Sequence, residues 1–380
     1  MAWMSLSDGL AKLPGLLALG RLSYPFDGIP LSARRMSLKK RWNLARAGLD
    51  ASLNRAVLSG PPPTVQVEPT NICNLKCPLC PTGSATMRRP RGFMTMETFQ
   101  RIMDELGDVL VTVVLYCWGE PFLNKDLPRM IEACAARGIL TVTSTNGHCL
   151  QTLDEALRVV DAGLSGLVVA IDGSTQDIYE TYRKSGDVDK VKRCAALMEE
   201  AKARRGSAFP YTDLRVVVTR HNQGDIGNIE KLARELGVNM FSYKTLGCLT
   251  WSGRFGDYEA SGGLARKQAG ADSGMTQRPP VQCNFPFRQP TIFWDGTLVG
   301  CEFDYNLEAP FGKIGERPFM EMWNGEPAVA LRRSIRKGLA RPAFCSLCPY
   351  TERGSLGTVL LTKELRPAGP RVEAIPAGER

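Results

Sequence analysis

Val65-Gln66-Val67-Glu68-Pro69 leads directly into Thr70-Asn71-Ile72-Cys73-Asn74-Leu75-Lys76-Cys77-Pro78-Leu79-Cys80. The first of these stretches reads as a strand and the second as the loop that follows it. Three thiolates in the spacing CxxxCxxC can wrap one face of a cubane iron–sulfur cluster. A closed shell would use four ligands, so three leave one iron open to a small chelating molecule. A zinc knuckle is the plainer alternative, but it asks for a fourth Cys or His nearby. None occurs in the thirty residues after Cys80.

Downstream of this loop the pattern repeats as strand, loop, helix. Strands are expected at Val65–Pro69, Val111–Tyr116, Ile139–Ser144, Gly166–Ile171, Leu214–Thr219 and Met240–Lys244. Helices are expected at Met96–Leu106, Leu127–Arg137, Thr152–Ala162, Val188–Arg204 and Asp225–Leu236. Such alternation predicts an α/β fold with a parallel sheet joined by right-handed crossovers. Six strands make it a partial (β/α)6 TIM-like barrel, and a loop after the first barrel strand is where that architecture places active sites. Gly60-Pro61-Pro62-Pro63 marks a boundary before the barrel, which is expected over 61–246. Residues 247–282 change to Gly, Ser, Ala and Gln and read as a linker. A smaller cysteine-bearing unit, a β-hairpin plus helix, is expected over 283–352. The 353–380 tail, rich in Pro, Gly and Ala towards its end, is expected to be partly disordered.

The chain has 380 residues, of which 43% are hydrophobic and 23% charged, an ordinary globular balance. No apolar run reaches the ~18 residues that a membrane-spanning helix needs. Leu13–Leu22 is apolar but short, and it lacks the marks of a signal peptide. Residues 1–60 read as a basic helical segment. They hold nine Lys or Arg against three acids, which is +6 of the chain's net +9. A solvated helical face is the commoner meaning of such a bias. Peripheral contact with an anionic membrane surface is the functional one. The basic residues are not interleaved with aromatics, which disfavours nucleic-acid binding. Twelve cysteines without a secretion signal indicate metal or catalysis in a reducing, cytoplasmic setting. Only His148 and His221 are present, which argues against a His-rich metal site or a His-dependent hydrolase.

Cys73, Cys77 and Cys80, in this context, resemble the cluster ligands of the radical S-adenosylmethionine superfamily, and the resemblance covers about residues 64–350. It implies that the open iron of a [4Fe–4S] cluster binds S-adenosylmethionine. It further implies that an electron from the cluster cleaves the sulfonium, and that the 5′-deoxyadenosyl radical takes hydrogen from a substrate. The residue before the third cysteine is usually aromatic in the family; here it is Leu79, expected to pack near the adenine. Trp118-Gly119-Glu120-Pro121 resembles the family's GGEP motif, with Gly119 and Glu120 meeting the methionyl ammonium. Ser144 and Asn146, at the end of the third strand, are candidates for the ribose hydroxyls. Ala170-Ile171-Asp172-Gly173 ends the fourth strand. Many relatives have Ser where Ala170 stands, which moves weight to Ser144 and Asn146 and keeps Asp172 as a cofactor residue. Tyr179-Glu180-Thr181-Tyr182-Arg183 resembles the segment whose arginine grips the methionine carboxylate.

Cys283, Cys301, Cys345 and Cys348 follow the spacing C-x17-C-x43-C-x2-C. Phe293 to Gly300 reads as a hairpin with its turn at Asp295-Gly296. Four thiolates can close a cluster shell, with structural zinc as the alternative. The arrangement resembles SPASM domains in their shortened Twitch form, with one auxiliary [4Fe–4S] cluster, and its spacing is similar to that of aminocyclitol alcohol oxidases. The resemblance implies a cluster able to take the second electron when a substrate radical becomes a carbonyl. It also implies an external donor such as flavodoxin or ferredoxin. Cys134 and Cys194 read as core residues. Cys117 adjoins the Gly-Glu motif, and Cys248 follows the sixth strand as a candidate hydrogen-atom donor. The expected substrate is a sugar, aminocyclitol or similar polar metabolite, oxidised or epimerised at a hydroxyl carbon. A peptide-modifying maturase is the alternative, disfavoured because residues 1–60 lack the strand pattern of a peptide-binding domain.

Overall fold

The computed structural model describes residues 15–16, 18–53, 55–246, 255–261, 283–337, 342–346 and 360–366. Cys248, Cys348, most of the expected linker and most of the expected tail lie outside the described residues.

The six expected barrel strands form at β3 (Thr64–Val67), β4 (Thr112–Val114), β5 (Leu140–Thr145), β6 (Gly166–Ala170), β7 (Tyr211–Val218) and β8 (Met240–Thr245). They pair in parallel in chain order. Between them run α2 (Met96–Leu106), α3 (Leu127–Ala135), α4 (Leu153–Asp161), α5 (Gln176–Tyr182), α6 (Val188–Arg205) and α7 (Ile226–Leu236). Local chemistry sets these boundaries. The Thr95 hydroxyl accepts the Thr98 N–H at the start of α2. Thr152 and Glu155 close a reciprocal capping box at the start of α4.

Strand alternation gives the sheet two apolar faces. Val113, Leu115, Leu167, Val169, Leu214 and Val216 face the helices and form the main core with Phe99, Ile131 and Val191. Val114, Leu140, Val142, Val168, Tyr211 and Met240 face the opposite way, into the barrel lumen.

An element absent from the sequence reading covers that second face. Residues 1–60 are not all helical: β1 (Leu22–Phe26) and β2 (Ile29–Ala33) form an antiparallel hairpin. Its turn, Asp27-Gly28, takes positive φ at both residues, 48° and 86°, as a tight type I′ hairpin turn requires. Phe26, Ile29 and Leu31 pack onto the lumen residues at the strand starts, so the hairpin closes the bottom of the barrel. The segment also holds helix α1 (Leu38–Ser52).

The sheet is larger than a six-stranded barrel. β9 (Thr291–Ile292) pairs in parallel with β3, and β10 (Thr297–Val299) and β11 (Pro310–Lys313) continue it antiparallel. The cysteine-bearing unit thus extends the barrel sheet, and Asp295-Gly296 makes the expected turn between β9 and β10. The unit also contains α8 (Phe285–Arg288), α9 (Phe319–Trp323), α10 (Glu326–Lys337) and α11 (Ala343–Ser346). Arg332, fully buried in α10, lies 4.0 Å over the Trp323 ring and donates to the carbonyls of Pro286 and Ala56. At the other edge, β12 (Leu360–Glu364) adds antiparallel to β8. Part of the expected tail is therefore a strand that covers an otherwise open edge.

Candidate active site

The cysteine loop leaves the upper end of β3, and the turns after β4, β5 and β6 close round it. Gly119 touches this loop so closely that a Cβ there would lie 2.2 Å from the Thr70 carbonyl oxygen. The next residue, Glu120, donates its N–H to the Ile72 carbonyl at 2.9 Å. The Gly-Glu turn is thereby fixed, backbone to backbone, against the loop that carries Cys73.

Glu120 is buried. Its carboxylate accepts from the Asn146 N–H at 2.7 Å, the Thr145 hydroxyl at 2.9 Å and the Phe122 N–H at 3.2 Å. Burial pushes its pKa up to about 7, with those donors pulling the other way. Asn146 in turn reaches the cluster loop: Nδ2 donates to Asn74 Oδ1 at 2.7 Å and lies 3.7 Å from Cys73 Sγ. Ser144 shares the lumen face of β5 with Leu140 and Val142 by strand alternation. Glu120 and Asn146 thus converge beside Cys73.

Asp172 and Arg183 form a second group. Arg183 Nε donates to Asp172 Oδ2 at 2.5 Å, and Asp172 Oδ1 accepts the Val217 N–H at 2.7 Å. One guanidinium nitrogen of Arg183 lies 4.0 Å from Cys77 Sγ. Burial opposes the arginine's charge, but Asp172 outweighs it and holds the group firmly protonated. Asp172, expected as a cofactor residue, is thus paired with Arg183.

Sequence reasoning missed several supporting residues. His148 Nε2 accepts the Asp187 N–H at 2.8 Å, so Nδ1 carries the proton and faces the Asn146 carbonyl at 2.9 Å. Burial lowers the pKa of His148 and keeps it neutral. Tyr258, inside the expected linker, packs edge-on against Tyr182 with ring centroids 5.7 Å apart. Leu75, Leu79, Tyr182, Leu246, Tyr258 and Val217 make an apolar cup around the three cysteines. Leu79 is buried in that cup. Nothing in the spacing of His148 or Tyr258 marked them, since each acts through a contact between distant segments.

The donor set fits a three-cysteine cluster. Cys73, Cys77 and Cys80 share one cup, and no described cysteine forms a disulfide. Burial pushes the Cys73 thiol up to about 11 and the Cys77 thiol up to about 12, so loading metal must expel protons. Among the described residues no three His, Cys, Asp or Glu side chains converge on a single-ion site. A cubane asks for no such convergence, because each cysteine binds a different iron.

Of the second set, Cys301 and Cys345 are buried in the main core, and Cys283 is partly buried against it. Cys348 is outside the described residues. Cys117 sits among Glu68, Glu302 and Cys301, and burial pushes its thiol well up. Cys134 and Cys194 are core residues, as expected.

Together these features define a cluster-holding, S-adenosylmethionine-type enzyme site on a partial barrel. Residues 67–233 match the radical SAM superfamily and residues 283–349 match the SPASM iron–sulfur cluster-binding domain. The chain belongs to the radical SAM superfamily and carries a SPASM-type domain, and its cofactors are S-adenosylmethionine and [4Fe–4S] clusters. It is 28% identical over 182 residues to the AdoMet-dependent heme synthase of Methanosarcina barkeri, covering 48% of this chain and 50% of that protein. It is 29% identical over 173 residues to the mycofactocin maturase MftC of Mycobacterium ulcerans, covering 46% and 44%. With the pre-heme d1 synthase of Dinoroseobacter shibae it shares 29% identity over 343 residues, covering 75% and 80%. The chain thus spans about half the length of the first two of these relatives and four fifths of the third. Streptococcus suis SuiB has the same fold, with a TM-score of 0.57 at 14% identity over 90% of this chain and 80% of SuiB. No helix among the described residues is long and apolar enough to cross a membrane.

Proposed function

We propose that the chain reductively cleaves S-adenosylmethionine and abstracts hydrogen from a hydroxyl-bearing carbon of a polar metabolite, a sugar or aminocyclitol, to oxidise or epimerise it. The observation that carries the substrate half of this reading is the polar lumen below the cysteine loop. Asp27, Asp213, Arg215, Ser242 and Lys244 form one network there. Across the lumen, Gln66 Nε2 donates to Glu302 at 2.7 Å. A lumen so rich in hydrogen-bonding groups suits a hydroxylated substrate better than an apolar one.

When bound, the first cluster supplies the electron that splits the sulfonium and yields the 5′-deoxyadenosyl radical. Arg183, held by Asp172, would pair with the methionyl carboxylate through its guanidinium. Glu120 and the Gly119 backbone would receive the ammonium, with Ser144 and Asn146 near the ribose. The apolar cup excludes water from the reacting atoms. Cys283, Cys301 and Cys345, with Cys348, would hold the auxiliary cluster; an electron acceptor there separates oxidation from redox-neutral epimerisation. Cys248 remains the thiol proposed to return a hydrogen atom. A cytoplasmic setting with flavodoxin or ferredoxin as donor fits these redox needs.

Peptide modification is the second reading, supported by relatives named mycofactocin maturase and PqqA peptide cyclase. The hairpin β1–β2 is set against the barrel lumen, which supports the metabolite reading over a free peptide-binding sheet. The test is anaerobic reconstitution, iron and sulfide counting, then dithionite with S-adenosylmethionine. About eight irons and 5′-deoxyadenosine are expected. No 5′-deoxyadenosine with or without added small metabolites would overturn the proposal. Mass spectrometry of products then separates metabolite from peptide.

A further inference from the structure

Helix α1 is built inside out. Its buried side chains are Lys40, Asn43 and Asp50, all polar. Each is held: Lys40 Nζ donates to the carbonyls of Arg137 at 2.7 Å and Gly138 at 3.1 Å. Asn43 Nδ2 donates to the Pro61 carbonyl at 3.1 Å. Asp50 accepts from the Ser59 N–H at 2.6 Å and from Arg55 at 3.2 Å. Leu44 packs against the lumen core, but four other apolar side chains point outward. Leu38, Trp42, Leu49 and Leu53 are 76%, 66%, 51% and 54% exposed, and their spacing of four, seven and four puts them on one helical stripe. Of the seven large apolar side chains that stand exposed among the described residues, six lie between Leu19 and Val57. A stripe of this kind adds nothing to folding of the chain alone and marks an interaction surface.

The charge around it selects the occupant. Residues 1–60 hold nine basic residues and three acids. Both described acids are turned away: Asp27 into the barrel, where it meets Lys244, and Asp50 under the helix. Exposed Arg35, Lys39 and Arg55 stand around the stripe; Lys39 also reaches Asp108 at 2.6 Å and Arg55 reaches Asp50. The apolar stripe holds Trp42, with basic residues near it. That is the chemistry of a helix lying in the headgroup region of an anionic bilayer, with its axis in the membrane plane.

We infer that α1 docks the enzyme on an anionic lipid surface through Leu38, Trp42, Leu49 and Leu53. The test uses the full-length reconstituted protein and extruded vesicles of phosphatidylcholine with or without phosphatidylglycerol. Anionic vesicles should bind at least ~10-fold more tightly than neutral ones, and added salt should weaken that binding. The double variant Trp42→Ser, Leu49→Ser should bind them about tenfold or more weakly. Its circular dichroism, iron content and 5′-deoxyadenosine yield should match wild type, since neither residue touches the barrel site. Absence of vesicle binding, or equal binding by the double variant, overturns the inference. So does a wild-type dimer that the double variant dissolves, which would assign the stripe to a second copy. Loss of flavodoxin binding in a variant that still binds vesicles normally would assign it to a protein partner and overturn it equally.

Discussion

The carboxylate of Asp27, at the tip of the N-terminal hairpin, accepts hydrogen bonds from Lys244 Nζ at 2.7 and 2.8 Å, joining residues 217 apart in the chain. Arg215 also pairs with it, while holding Asp213 on its other side. Two cations and two carboxylates therefore balance inside the barrel. The hairpin is fastened by its tip as well as by the apolar contacts of Ile29 and Leu31.

Replacing Asp27 with Asn would leave two buried cations facing one carboxylate. We expect a loss of about 3 kcal/mol, measured by denaturant unfolding. Burial by itself would raise the Asp27 pKa, but Lys244 and Arg215 outweigh it and hold the carboxyl well below the usual range. Its contribution is complete above the unfolded value near pH ~4 and declines as pH falls below that. The gap between wild type and Asp27→Asn should thus narrow in acid. A gap that widens there would remove the ion pair as the cause.

Glu120 titrates near neutrality, with burial pushing its pKa up to about 7. An ammonium prefers the ionised carboxylate, so S-adenosylmethionine affinity should rise as pH increases through that value. Glu120→Gln should flatten the rise and weaken binding about tenfold. Equilibrium dialysis on reconstituted protein measures both effects. A Gln variant with wild-type affinity and an unchanged pH profile would leave Glu120 with only its loop-fixing role.

Arg183→Lys keeps the charge but loses the planar fork, and should weaken S-adenosylmethionine binding about tenfold. Asp172→Asn should weaken it as well, by releasing the arginine from its 2.5 Å contact. Calorimetric titration at unchanged iron content checks the pair. If only Arg183→Lys has an effect, Asp172 does not position the arginine.

Cys73, Cys77 and Cys80 replaced together by Ala should remove about four irons and abolish 5′-deoxyadenosine formation. Replacing Cys345 and Cys348 should also remove about four irons, yet leave dithionite-driven cleavage intact while product formation is lost. Iron analysis and chromatography of the nucleoside distinguish the two sites. Unchanged iron in the second variant would sink the auxiliary cluster.

Much of the barrel was legible because its signals are local. The helix Met96–Leu106 carries its own apolar stripe and Thr95 cap, and the structure reproduces those limits. The hairpin β1–β2 is absent from the sequence reading although Asp27-Gly28, between short apolar segments, is a recognisable turn pair; the basic bias of the segment reads equally well as a solvated helical face. β12 was missed for a deeper reason. Leu360–Glu364 becomes a strand only by pairing with the distant edge of β8, so a local reading has little to detect.

The sequence by itself determined the family and the order of strands and helices, because cysteine spacing and apolar periodicity act over a few residues. Only the tertiary structure decided which polar groups meet. It sent Asp172 to Arg183, His148 to the Asn146 turn, and Asp27 into the lumen beside Lys244. It also turned Lys40, Asn43 and Asp50 of α1 inward and Leu38, Trp42 and Leu49 outward. Burial and partner choice depend on which distant segments share a small volume, and no local spacing encodes that.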